Sequence, residues 1–212
     1  MDAKISIFRT PRTGSTMLKR AVLAVMDLED DESSHSLFSP KYPLVVTVRD
    51  WRDVLASHWR IRFAHIEEKP SRFRISCSMN SLDASLERLQ TMIELYPDAT
   101  IWRYEEFYRE PLAMEVFLAR ILGRRLTYAE FCKVKEVVLP NRALQIQNRL
   151  EIRRGETKLP FSIEDKGSGI HLDHIGPAGG FPGAWKASIP EEFHEWINEK
   201  YTETLKLWGY EL

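Results

Sequence analysis

The feature that most constrains the fold lies near the start of the chain, in residues 5–22, ISIFRTPRTGSTMLKRAV. An apolar, β-branched run (Ile5, Ile7, Phe8) gives way to turn-forming residues 9–16, and these lead into a helix-prone segment from Met17 onward. A strand feeding a glycine-containing loop that opens a helix is an anion-binding device. The first backbone N–H groups of such a helix lack internal partners, and its dipole places partial positive charge there. Arg12 adds a full charge, and Thr13, Ser15 and Thr16 add hydroxyl donors. Gly14 lets the backbone approach an anion closely, or adopt φ > 0. The loop is therefore expected to hold a phosphate.

The rest of the chain predicts an alternation of strands and helices. Leu18, Ala21, Val22 and Val25 form a helical stripe after the loop. An acidic, polar stretch over 29–36 reads as a loop. Residues 44–48, LVVTV, are a continuous β-branched run of the kind found in buried parallel strands, and Arg49-Asp50 ends it. Helix is expected over 53–62, with Val54, Leu55 and Trp59 on one side. Residues 65–80 are polar and mixed. Leu82, Leu86, Leu89 and Ile93 repeat at helical spacing, which predicts an amphipathic helix over 81–95. A short strand over 99–102 follows. Pro111 then opens a helix that stops near Gly123, and another helix is expected over 128–135. From 140 to 183 the pattern weakens to loops with short helical pieces. Ser188-Ile-Pro-Glu191 has capping-box spacing before a long final helix bearing Phe193, Trp196, Ile197 and Leu205. Strands alternating with helices indicate an α/β fold with a mainly parallel sheet, whose ligands sit beyond the carboxyl ends of the strands.

The totals narrow the function classes. At 212 residues the chain suits one domain over 1–212 with a substantial core. Thirty basic against 31 acidic side chains, a net charge of −1, argue against a nucleic-acid binder driven by overall charge. Cys77 and Cys132 have no ligand-like spacing and imply a reducing compartment without a disulfide framework. No signal peptide or membrane-length apolar run is legible, so a soluble, cytoplasmic protein is expected.

Three further stretches could carry chemistry. Arg49 ends a strand and Ser57 follows eight residues later, a spacing that can bring a guanidinium and a hydroxyl onto one anion; an Arg49–Asp53 ion pair is the plain alternative. Tyr104, in Trp102-Arg-Tyr-Glu-Glu-Phe107, stands at a strand end where it could stack on a base, or serve as a core aromatic. The loop Gly179-Gly-Phe-Pro-Gly-Ala-Trp-Lys186 offers backbone N–H groups that could close over a ligand.

Taken in order, these segments resemble the sulfotransferase family that uses 3′-phosphoadenosine 5′-phosphosulfate (PAPS). Pro11-Arg-Thr-Gly-Ser-Thr16 is similar to that family's 5′-phosphosulfate loop. Arg49 and Ser57 match its 3′-phosphate pair, with Asp53-Val54 where the family has Asp-Val. Arg103-Tyr104-Glu105-Glu106, Pro111 and Leu122-Gly123 resemble its Y-E-D-(x)-P-(x)-L-G block. Gly180-(x)2-Gly183-Ala-Trp185-Lys186 resembles its G-x-x-G-D-W-K block. The resemblance covers most of the chain and implies a three-layer α/β/α, P-loop NTPase-like fold. It also implies transfer of a sulfuryl group from PAPS to a hydroxyl or amine of a small-molecule or carbohydrate acceptor, leaving adenosine 3′,5′-bisphosphate. On this resemblance Arg12, Thr13, Gly14, Ser15, Thr16, Arg49, Ser57, Tyr104, Gly179 and Gly180 bind the cofactor, and Arg12 faces the leaving group. His35 is the implied base, with Glu32 as rival and Glu29 behind it. No metal, nucleic-acid partner or membrane is implied. The H-x-x-H pair His171 and His174 lacks a third ligand nearby in sequence.

The chain departs from the family in three places. Ala178 and Gly179 stand where the family often has Arg-Lys, Met17 replaces an aromatic residue, and the segment between the first helix and second strand is short. Two rivals follow: an inactive nucleotide-binding module of the same fold, and a nucleotide kinase-like phosphotransferase. The second is disfavoured because the loop lacks a Gly-Lys pair.

Overall fold

Strand-forming residues that are apolar on both sides need cover on both sides, and the chain arranges them in a four-stranded sheet, all strands parallel, in the order β2-β1-β3-β4. The structure, a computed structural model, describes residues 4–26, 33–63, 69–139, 164–165, 170–171 and 180–212. The sheet strands are β1 (Ser6–Phe8), β2 (Ser33–Ser34), β3 (Leu44–Val48) and β4 (Thr100–Arg103). The helices are α1 (Ser15–Leu23), α2 (Trp51–Phe63), α3 (Arg72–Leu95), α4 (Tyr104–Phe107), α5 (Pro111–Leu122), α6 (Tyr128–Val138), α7 (Trp185–Ser188) and α8 (His194–Leu207). An antiparallel pair, β5 (Glu164–Asp165) with β6 (Ile170–His171), stands apart from the main sheet. Among the described residues no helix is long and apolar enough to cross a membrane.

The chain divides into two compact units, residues 1–49 with 84–142 and residues 50–83 with 143–212. The first unit holds the parallel sheet. Ile7 pairs with Val45 and Thr47 with Trp102, so these four side chains share one face of the pleat. Ile7, Val45 and Trp102 join Leu18, Ala21 and Val22 of α1, Met114 and Leu118 of α5, and Val134 and Val138 of α6 in one buried cluster. Gly123 ends α5 in the left-handed conformation (φ 65°), and Thr127 closes a capping box with Glu130 at the start of α6.

The second unit is organised around one arginine. Arg52 forks onto Asp50 (Nη2 to Oδ2, 2.7 Å), donates to Asn198 of α8 and to the Glu211 carbonyl, and lies over the Trp185 ring. Trp51 meets Tyr201 and Trp208 edge to face. Burial and the nearby Asp83 charge push the Tyr201 phenol well above its usual range.

Four expectations change. The acidic stretch read as a loop contains β2, whose pairing comes from its neighbour β1 rather than from its own polar residues. The helix expected over 81–95 begins at Arg72, because Ile75 and Met79 extend the buried stripe of Leu82, Leu89 and Met92 upstream. Within the weak stretch, residues 164–165 and 170–171 are strand rather than helix, and 180–183 form a turn. Ser188 does not build a capping box: its hydroxyl donates to the Ala184 carbonyl (3.0 Å), and a 3-10 turn over Glu191–Phe193 without a side-chain cap leads into α8.

Candidate functional site

The chain leaves β1 in one direction to form β2 and then crosses to the other side of β1 to form β3. The carboxyl ends of β1 and β3 therefore flank a topological switch point, where open α/β sheets take their ligands. One candidate group leaves the end of each strand: the 9–14 loop after β1, His35 after β2, Arg49 after β3 and Tyr104 after β4.

Hydroxyls inside the protein hold the loop in shape. The Thr10 N–H donates to Thr47 Oγ1 (3.1 Å), Thr13 Oγ1 lies 2.7 Å from Thr47 Oγ1, and Thr13 Oγ1 donates to the Thr10 carbonyl (2.7 Å). Each hydroxyl has one proton, so these distances order the chain as Thr47 to Thr13 to the Thr10 carbonyl. The Thr13 side chain is fully buried and committed to this tether, so it positions the loop and leaves any anion to the backbone and to Arg12. Thr47 went unread in the sequence, although its signal was there: it is the one hydroxyl in an otherwise apolar buried strand.

Two left-handed residues bend the loop, Arg12 (φ 65°) and Gly14 (φ 77°). Gly14 tolerates this, whereas Arg12 stores backbone strain of about 1–3 kcal/mol, of the kind found at ligand clamps. Gly14 is also required sterically, since a Cβ there would meet Tyr104 Cδ2 at 2.3 Å. Past Gly14, α1 has no side-chain cap and no acid in its first turn. Ser15 is buried and Thr16 half-buried on that turn. Burial lowers the Arg12 pKa, and among the described residues no acid offsets that cost.

Arg49 is buried (7% exposed); its Nη1 donates to the Arg12 carbonyl at a long 3.4 Å, and its guanidinium lies 4.3 Å from the Tyr104 ring centroid. Tyr104 thus carries Arg49 on a face expected for a base. Tyr108 packs beside Tyr104 (5.4 Å between centroids) and Arg109 lies over it, which adds a second aromatic and a third cation.

His35 is exposed, and its Nδ1 bonds to the Arg9 carbonyl. A carbonyl only accepts, so Nδ1 carries the proton and Nε2 holds the lone pair. Partial desolvation of the ring, then the charge of Arg9, then those of Arg12 and Arg88, lower its pKa below 6.5 and outweigh the Arg9 carbonyl bond, which raises it. The ring is therefore neutral near neutral pH, with Nε2 ready to accept a proton. Arg9 also donates to the Ser33 carbonyl of β2 (3.2 Å). Arg9 and Arg88 are further members that sequence reasoning missed; Arg88 carries no local signal, because α3 and not the strand pattern delivers it.

In the second unit, Asp53 accepts from the Gly183 N–H (2.8 Å) and the Trp185 N–H (2.9 Å). The expectation that this loop's N–H groups close over a ligand therefore fails for these two, which the chain's own carboxylate satisfies. The same contacts give Asp53 a structural role within its own unit. Ser57 lies half-buried on α2 of the second unit, one turn beyond Asp53, and Gly180 turns with φ 74°. Glu29, Glu32, His174, Ala178 and Gly179 lie outside the described residues.

No family model, no characterised protein and no solved structure matches this chain.

Proposed function

We propose that the chain is a PAPS-dependent sulfotransferase of the three-layer, P-loop-like kind, moving a sulfuryl group to a hydroxyl or amine of a small acceptor. The observation that carries the reading is Arg12, a partly desolvated guanidinium on which no acid among the described residues acts, on a strained loop at the switch point of a parallel sheet. A half-buried cation that no described acid offsets gains most when an anion arrives to pair with it.

The residues present suit the cofactor's 5′ side. Arg12 and the uncapped start of α1 would hold the phosphosulfate, and Arg49 beside Tyr104 would take the nucleotide's other charged end. PAPS supplies an activated sulfuryl group. Arg12 neutralises charge that develops on the leaving oxygen, and the Thr47–Thr13 tether keeps it in place without reorganisation. His35 Nε2 accepts the acceptor's proton, and the Arg9 carbonyl steadies the imidazolium through Nδ1–H. The inactive-module reading draws on Ala178 and Gly179, which stand in place of cations.

Calorimetry with adenosine 3′,5′-bisphosphate, ADP and ATP tests the reading. Tightest binding of the 3′,5′-bisphosphate supports it. A preference for ATP, or no binding of the bisphosphate, overturns it. Transfer of label from PAPS to an acceptor panel separates the enzyme from the inactive module.

A further inference from the structure

The register of the sheet brings two strand-end groups together. Val48 of β3 pairs with Arg103 of β4, so the residues that follow, Arg49 and Tyr104, leave neighbouring strands side by side. The Arg49 guanidinium lies over the Tyr104 ring, 4.3 Å from its centroid, and Arg49 Nη1 reaches the Arg12 carbonyl (3.4 Å). The same ring meets the loop directly. A Cβ on Gly14 would collide with Tyr104 Cδ2 and stand 2.9 Å from Tyr104 Cε2 and 3.3 Å from Trp102 Cη2. Tyr104, Arg49, Arg12 and Gly14 thus close a circuit of contacts, and the circuit includes both left-handed residues of the loop.

We propose that Tyr104 is a positioning residue: its ring, wedged between Gly14 and Arg49, holds the loop in the shape that takes an anion, and is not a platform for a base. The inference rests on the anion-loop part of the reading above and not on sulfuryl transfer. A residue such as Arg12 keeps a left-handed backbone only where its surroundings over-determine it. Here two constraints act on the segment, the Arg49 bond to the Arg12 carbonyl and the ring edge against Gly14, and one side chain stands behind both. A stacking platform offers its ligand an open face. This ring is engaged on a face by Arg49 and on an edge by Gly14, and Tyr108 packs against it at 45°. Those contacts are made by ring carbons, so phenylalanine should serve in its place.

Inorganic phosphate, which has no base to stack, is the probe, and the Gly14 amide is the reporter in an NMR titration of the full chain. Tyr104→Ala is expected to weaken phosphate binding about tenfold, the scale of a lost desolvated cation–π contact, and Tyr104→Phe to stay within about twofold of wild type. If Tyr104→Ala does not fold, Tyr104→Leu takes its place. Phosphate binding that is unchanged without the ring, while bisphosphate binding falls, marks a base platform and overturns the inference. Equal losses in the alanine and phenylalanine variants overturn it as well, as does a wild-type Gly14 amide that phosphate leaves unmoved. A double-mutant cycle gives a second measurement. Gly14→Ala strains the backbone in any background but meets the ring only where the ring is present, so it should lower the denaturant midpoint less beside Tyr104→Ala or Tyr104→Leu than alone. Equal costs in the two backgrounds overturn the wedge. A chain that prefers ATP yet shows the Tyr104 dependence keeps the positioning role and loses the transferase. One that prefers the bisphosphate, with phosphate binding indifferent to Tyr104, keeps the transferase reading and loses the positioning role.

Discussion

Two loops in this molecule run into the amino terminus of a helix, and they treat it in opposite ways. Before α7, the Gly183 and Trp185 N–H groups are taken by the buried carboxylate of Asp53. Before α1, the first turn has neither a side-chain cap nor an acid, and Arg12 adds a desolvated positive charge. Both loops are built with left-handed glycines, Gly183 (φ 79°) and Gly14 (φ 77°), so backbone shape does not separate them. What separates them is whether the chain supplies its own anion. Where it does, the loop is structural; where no described residue supplies one, the loop is the proposed site for an external anion.

Removing the charge from each loop should therefore have different consequences. Arg12→Ala is expected to lower kcat/KM for PAPS by about 10²–10³-fold, the scale of one lost transition-state donor. Steady-state kinetics check this, and wild-type turnover would break the comparison. Asp53→Ala is expected to appear in stability instead. It leaves the buried Trp185 N–H unsatisfied and frees the more exposed Gly183 N–H, and should cost about 2 kcal/mol, read from the denaturant midpoint.

Smaller effects sharpen the same contrast. Thr47→Val keeps the strand's shape and removes the hydroxyl that joins Thr10 and Thr13. It should cost about 1–2 kcal/mol and loosen bisphosphate binding in calorimetry, since these neutral hydroxyls, unlike the carboxylate of the counterpart loop, hold Thr10 and Thr13 in the anion loop. The smallest is a shift in pH dependence. Because the His35 pKa is lowered, the ring stays unprotonated until the pH falls below its ordinary value of 6.5. The acidic limb of kcat/KM should lie below pH 6.5, and Arg88→Ala, which removes one of the cations, should move it upward. The sign for stability agrees: neutral His35 contributes fully above pH 6.5, and the contribution is lost as the pH falls through the lowered value.

Much of the scaffold was legible from local pattern. The run at Leu44–Val48 coincides with β3, Pro111 and Gly123 bound α5, and the glycine loop opens α1 as expected. Local pattern failed where a neighbour supplies the stabilisation. Ser33 and Ser34 form a strand because β1 offers them N–H and C=O partners, which no property of two serines announces. Ser188 has the right spacing for a cap, yet α7 claims its hydroxyl first.

The sequence by itself determined the parallel α/β scaffold, the loop after the first strand and the presence of Arg12 and Gly14 within it. These depend on hydrophobic periodicity and on φ > 0, which act over a few residues. Only the tertiary structure decided which polar groups are already satisfied. It assigned Thr13 to an internal tether, Asp53 to the second loop, and Arg9 and Arg88 to the neighbourhood of His35. A side chain's availability depends on partners tens of residues away, and the packing of strands and helices brings those partners within reach.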